Sequence, residues 1–121
     1  MSHSYSDLIV WQKAKALAVD VYRCTECFPR TEIYGLTSQM RRAAVSVASN
    51  IAEGQGRLTR GEFTQFLGHA RGSLLELQTQ FSIALDLKMI EQDKFVRIEK
   101  DSQEVLRALN GLIESMRPLS N

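Results

Sequence analysis

Apolar residues recur at spacings of three and four over most of the chain, the period of a helix with one buried stripe. Leu8, Trp11, Ala14, Ala18, Val21 or Tyr22, Thr25 and Phe28 share a face and predict a first helix over about 8–28. Ser6 or Asp7 stands where a cap is wanted, and Pro29 cannot continue a helix. Thr37, preceded by Leu36 as a staple, predicts the N-cap of a second helix over about 37–53, with Met40, Ala44, Val47 and Ile51 on a common face. Gly54 is the expected stop, in the left-handed conformation that glycine adopts without strain.

The pattern sharpens in the second half. Thr59 is followed three residues later by Glu62, the spacing of a capping box, and a third helix is predicted over about 59–87. Phe63, Leu67, Ala70, Leu74, Leu77, Phe81 and Ala84 make a heptad stripe along it. At the usual helical rise it is about 40 Å long. A fourth helix over about 91–116 carries Phe95, Ile98, Ser102, Val105, Leu109, Leu112 and Met116. Its opposite face mixes both charges (Arg97, Lys100, Asp101, Glu104, Arg107, Glu114) and reads as solvated. Strand alternation and hairpin turns are absent from the pattern. Four helices joined by short loops predict an all-α, up-down-up-down four-helix bundle, one domain over residues 1–121.

The second helix departs from an ordinary amphipathic one. Its polar residues, Gln39, Arg42, Ser46, Ser49, Asn50 and Glu53, fill a narrow arc, and Ala43, Ala44, Ala48 and Ala52 leave room for close neighbours. That breadth predicts cover on more than one side, part of it from another subunit, because a small core is marginal by itself. The third helix has its own polar arc, Glu62, Gln65, His69, Ser73, Glu76 and Gln80. Arg42 with Glu76 and Arg71 with Glu53 are the cross-helix pairs to consider, and the pattern leaves open which forms.

Charge adds little at the level of the whole molecule, since the 121 residues sum to +1. The distribution adds more: Arg41, Arg42, Arg57, Arg60 and Arg71 fall in the middle of the chain, so a local basic surface is compatible with a neutral total. No apolar run is long enough to span a bilayer and the N-terminus lacks a signal-peptide pattern, so a cytoplasmic location is expected and a membrane partner is not.

Chemistry is sparse. Cys24 and Cys27 form a C-x-x-C, but at the end of a helix, where the dipole opposes a thiolate. A zinc site would need His3 and His69 as well, so two structural thiols and no bound metal are expected. The polar stretch SNIAEGQGR, 49–57, lacks the lysine of a Walker loop, has Thr59 where a dinucleotide fingerprint needs its third glycine, and follows a helix rather than a strand. It reads as a helix terminus from which Arg57 and Arg60 present two guanidinium groups to an anion. His69, alone on a helix, does not complete a hydrolytic triad, and Glu62, Gln65 and His69 do not make a di-iron pattern. No catalytic residue and no cofactor are expected.

Longer stretches carry a resemblance. LIVWQKA (8–14), FPRTEIYGLTSQMRRAAVSVASNIAEGQGR (28–57) and FTQFLGHARGSLLELQTQ (63–80), in that order, resemble the four-helix-bundle family found as an open reading frame inside 23S rRNA intervening sequences of bacteria. It covers about residues 5–115. The resemblance implies a left-handed bundle, a ring-like homopentamer and kinship with the basic accessory proteins of diversity-generating retroelements, which bind nucleic acid and a reverse transcriptase. On it rests the expectation of a non-enzymatic oligomer that binds RNA or DNA through Lys13, Lys15, Arg41, Arg42, Arg57, Arg60 and Arg71. Asn50, Glu53, Gly54 and Glu76 are expected in a structural polar network or turn. The competing expectation is a homo-oligomeric scaffold for a protein partner. Without an aromatic stacking platform, nucleic-acid binding would be led by charge and shape.

Overall fold

The computed structural model describes residues 8–117. Ser6, Asp7, His3 and Pro118, which figured in the capping, metal and tail expectations, lie outside them. Helix α1 spans Ile9–Thr25, α2 Leu36–Gln55, α3 Arg60–Asp86 and α4 Gln92–Ser115, with a 3-10 turn at Arg30–Glu32. Among the described residues there is no strand.

The ends of the helices show which local forces win. α1 stops at Thr25, three residues short of the expected 28. Phe28 precedes a proline and is steered away from helical backbone, and the chain already tightens before it: Glu26 N–H donates to Arg23 O and Phe28 N–H to Thr25 O. α2 starts at Leu36 with Gly35, not Thr37, in the cap position. Glu32 does the capping from outside, its Oε1 accepting Leu36 N–H at 3.0 Å. α2 also runs through Gly54 to Gln55, so the expected left-handed stop at Gly54 is corrected to buried helix interior. At α3 Thr59 is the N-cap, as expected: its Oγ1 accepts Glu62 N–H at 3.1 Å, while Glu62 Oε1 accepts the Thr59 hydroxyl at 3.1 Å rather than the backbone N–H of a full capping box. Two residues past the end of α3, Lys88 has a left-handed φ of 61°. Lys88 N–H donates to Leu85 O and Met89 N–H to Ala84 O, the paired closure of a Schellman turn with lysine in the glycine position.

Each helix packs on two others, α1 and α3 both lying against α2 and α4. The core holds Ala14, Leu17 and Val21 of α1, Met40, Val47 and Ile51 of α2, Leu67, Leu74 and Leu77 of α3, and Ile98, Val105 and Leu109 of α4. The stripes of α2, α3 and α4 therefore face inward in the register their spacing predicts. α1 is rotated from the expected stripe: Val10 and Leu17 are core, while Trp11 and Ala18 are half-buried and Tyr22 is exposed. The α2–α3 seam is the most extensive pairing. A Cβ placed on Gly54 would lie 2.8 Å from Phe66 Cβ and 3.0 Å from Phe63 Cδ1, so the backbone of α2 comes against α3 only because the side chain is absent there. Much of the broad apolar arc of α2 is thus covered from within the chain, by α3 on one side and α1 on the other.

Candidate nucleic-acid interface

The seven basic residues expected to contact phosphate are distributed over α1, α2, α3 and the corner before α3 rather than gathered on one face. Lys13 pairs with Glu104 of α4 at 3.6 Å, and Lys15 sits over the Trp11 ring at 5.4 Å. Arg41 turns back onto α1: its Nε–H donates to Thr25 Oγ1 at 2.8 Å and its Nη2 to Tyr22 O at 3.3 Å, with the guanidinium 4.7 Å over the Tyr22 ring. Arg41 therefore ties down the Tyr22 carbonyl and the Thr25 hydroxyl at the end of α1, where a cation is favoured. Arg71 donates to Asn110 Oδ1 of α4 at 3.1 Å. Arg42 is exposed and makes no ion pair among the described residues.

The α2–α3 corner is the place where two arginines lie close in sequence on an open surface. Arg57 Nη2 bonds Glu53 Oε2 at 2.7 Å, one helical turn back, and the guanidinium lies 4.6 Å over the Phe66 ring. The stack fixes the plane of a group that would otherwise be mobile, and the ring adds its own attraction. Arg60 opens α3, is exposed, and its side chain has no hydrogen bond or ion pair among the described residues. Leu58 between them is 98% exposed.

The polar residues expected in a network or turn fall into separate local contacts. Asn50 Nδ2 donates to Ser46 O and Ser46 Oγ, and Ser46 Oγ shares a 2.9 Å hydrogen bond with Ser73 Oγ across the α2–α3 seam. Glu76 accepts from Gln80 on its own helix at 3.2 Å, and Glu53 is engaged by Arg57. Neither an Arg42–Glu76 nor an Arg71–Glu53 ion pair occurs among the described residues.

The remaining candidates are chemically quiet. Cys24 is half-buried and Cys27 exposed, and both are free thiols. Burial pushes the Cys24 thiol up from its ordinary value although Lys94 and Arg97 pull the other way, so it is protonated at neutral pH. His69 is exposed and packs edge-on against Phe66, ring centres 5.8 Å apart. Among the described residues no cluster of three or more His, Cys, Asp or Glu could hold a metal ion, and no helix is long and apolar enough to cross a membrane.

A feature that the sequence pattern did not single out lies between α1 and α2. A hollow of about 510 Å³ is walled by Trp11, Ala18, Val19, Tyr22, Val45 and Ala48. Val19, Tyr22 and Val45 are each more than 40% exposed, which leaves a contiguous apolar surface uncovered in the single chain. The signal for it was present in the alanines of α2, but helical spacing alone does not say which alanines an adjacent helix covers.

This set of helices defines a four-helix bundle. The family model of the 23S rRNA-intervening sequence protein matches residues 6–111, and the chain belongs to that family. Among solved structures it is similar to a protein of unknown function from the S23 ribosomal protein family of Bacteroides thetaiotaomicron VPI-5482. The TM-score is 0.79 and the identity 21%, over 88% of this chain and 99% of that one, a likeness of fold. No curated protein matches.

Proposed function

We propose that the protein is a non-enzymatic, cytoplasmic homo-oligomer, a ring of five subunits, that holds RNA by its phosphates through the α2–α3 corner. Each subunit is an up-down-up-down, left-handed bundle. The α1–α4 contact of Lys13 with Glu104 and the shared α1–α2 hollow of Trp11 with Ala52 support alternating helix directions. The observation that carries the nucleic-acid reading is the corner itself: Arg57 preset on Phe66 beside an unpaired Arg60. One such corner binds weakly, but repetition around a ring adds the contacts by multivalency. The uncovered apolar wall of α1 and α2 supports the assembly, because burying it against a second copy removes it from water.

The test is binding to a structured RNA and to duplex DNA at low and physiological salt, with mass measured by light scattering in the same buffers. Binding that weakens steeply with salt is expected from a species near five subunits. Arg57→Glu with Arg60→Glu abolishes it at unchanged mass, and Val45→Glu lowers the mass. An intact oligomer that binds neither nucleic acid at low salt overturns this reading in favour of a scaffold for a protein partner. That second reading is supported by the bonds that Lys13, Arg41, Arg57 and Arg71 already make within the chain.

A further inference from the structure

Two thiols that are quiet singly have a joint property. Cys24 lies in the last turn of α1 and Cys27 two residues past its end. Both border one cavity of about 770 Å³, walled further by Leu85, Met89 and Ile90. Cys27 also stands near enough to act electrostatically on the Cys24 thiol.

Their shared direction follows from the residues that come after them. Thr25 and Phe28 are both buried, at 3% and 7% exposure, so side chains three apart point the same way across this turn. Cys24 and Cys27 have the same spacing one position earlier. The backbone gives the reason. Glu26 N–H donates to Arg23 O and Phe28 N–H to Thr25 O, the i to i+3 pattern of a 3-10 turn, in which side chains three apart eclipse. Cα atoms so placed are about 5–6 Å apart, inside the range that a disulfide spans.

The inward side of the turn is fixed. Thr25 Oγ1 donates to Val21 O at 2.8 Å and accepts Arg41 Nε–H of α2 at 2.8 Å. The backbone between the two cysteines is thus anchored before any bond forms between them, and closure has little ordering left to do.

We infer that Cys24 and Cys27 are a dithiol site which small aliphatic disulfides, of the glutathione kind, convert to an intramolecular disulfide. The exposed Cys27 reacts first. Its thiolate attacks one sulfur of the reagent, forms a mixed disulfide and expels one thiolate. Cys24 then loses its proton and attacks the Cys27 sulfur, which expels the second thiolate. The two cysteine sulfurs are oxidised, the reagent is reduced to two thiols, and those thiols take up the two protons that the cysteines lose.

The end of α1 also sets the stability of the product. Burial and the negative end of the helix dipole both disfavour a Cys24 thiolate. A stabilised thiolate is what makes a reduced pair resist oxidation. That advantage is weak here, so the bridge persists once formed. The site shares no residue with the Arg57–Arg60 corner and stands or falls separately from RNA binding there.

The experiment equilibrates the full chain with mixtures of reduced and oxidised glutathione, quenches with acid, blocks the remaining thiols with N-ethylmaleimide and reads intact mass and peptide map. In the oxidising mixtures the native chain is expected to be lighter by two hydrogens, to take up no maleimide and to carry a Cys24–Cys27 bond. Cys24→Ser is expected to stop with one glutathione on Cys27. Cys27→Ser is expected to react about tenfold more slowly, because the thiol that remains is half-buried and protonated. A native chain that accumulates the glutathione adduct, joins a second chain or keeps both thiols in the most oxidising mixture overturns the proposal. Reaction of Cys27→Ser as fast as that of Cys24→Ser overturns the order of the two steps and the proposal with it.

Discussion

The two turns that flank α3 use glycine and lysine in an unexpected exchange. Before α3 stand Gly54 and Gly56, and neither has a positive φ. Gly54 is helical and is pressed against Phe63 and Phe66. The turn after α3 has no glycine, and Lys88 adopts the left-handed conformation there. One turn needs the absence of a side chain in space, and the other needs a backbone angle that a side chain makes unfavourable. A glycine in a sequence reports either demand, and the two differ in how far a substitution propagates. Crowding at Gly54 must be relieved by moving a helix, whereas strain at Lys88 is confined to one residue.

The contrast can be broken by substitution. Gly54→Leu should lose about 3 kcal/mol or more in urea denaturation, because the new side chain forces α2 and α3 apart. An unchanged midpoint would show that close approach is not what the glycine serves. Thr59→Ala removes the cap of α3 at the same corner and should lose about 1 kcal/mol. Lys88→Gly has the opposite sign, a gain of about 0.5–1 kcal/mol from relief of the left-handed residue. A loss there would mean that the lysine side chain is holding the turn. Gly56→Ala should change least, a gain of about 0.4 kcal/mol, since φ is −82° and an added Cβ meets nothing closer than 3.6 Å. Thermal melts of the four variants under one buffer order these effects directly.

The same distinction explains how much of the molecule was legible in advance. The heptad of α3 and the stripe of α4 were, because large apolar residues at regular spacing admit one inward face. The capping box at Thr59 was legible because it is local: donor and acceptor are three residues apart. The α1 stripe was legible in part: Ala14, Val21, Thr25 and Phe28 are buried as expected, but Val10 and Leu17 take the inward places given to Trp11 and Ala18, a choice that only packing decides. The left-handed Lys88 carried no signal, because the turn forms from backbone hydrogen bonds that any residue can make. Of the candidate site, the Arg57–Arg60 corner follows from the chain itself. Arg41 does not: its partners, Thr25 and Tyr22, are distant in sequence and are brought near only when α1 and α2 pack. The dispersal of the basic residues is likewise a property of helix rotation rather than of composition.

The chain contains one tryptophan, and Trp11 stands at the wall of the α1–α2 hollow. The molecule thereby carries its own optical gauge. An indole half in water emits at longer wavelength and is open to iodide quenching, whereas one sealed against another surface shifts to the blue and is shielded. Diluting the unlabelled protein while following that single emission tests the proposed assembly: a red shift on dilution would mean that a second copy had covered the hollow, and a constant emission that none had. The measurement needs no change to any residue and no dye on the surface under study.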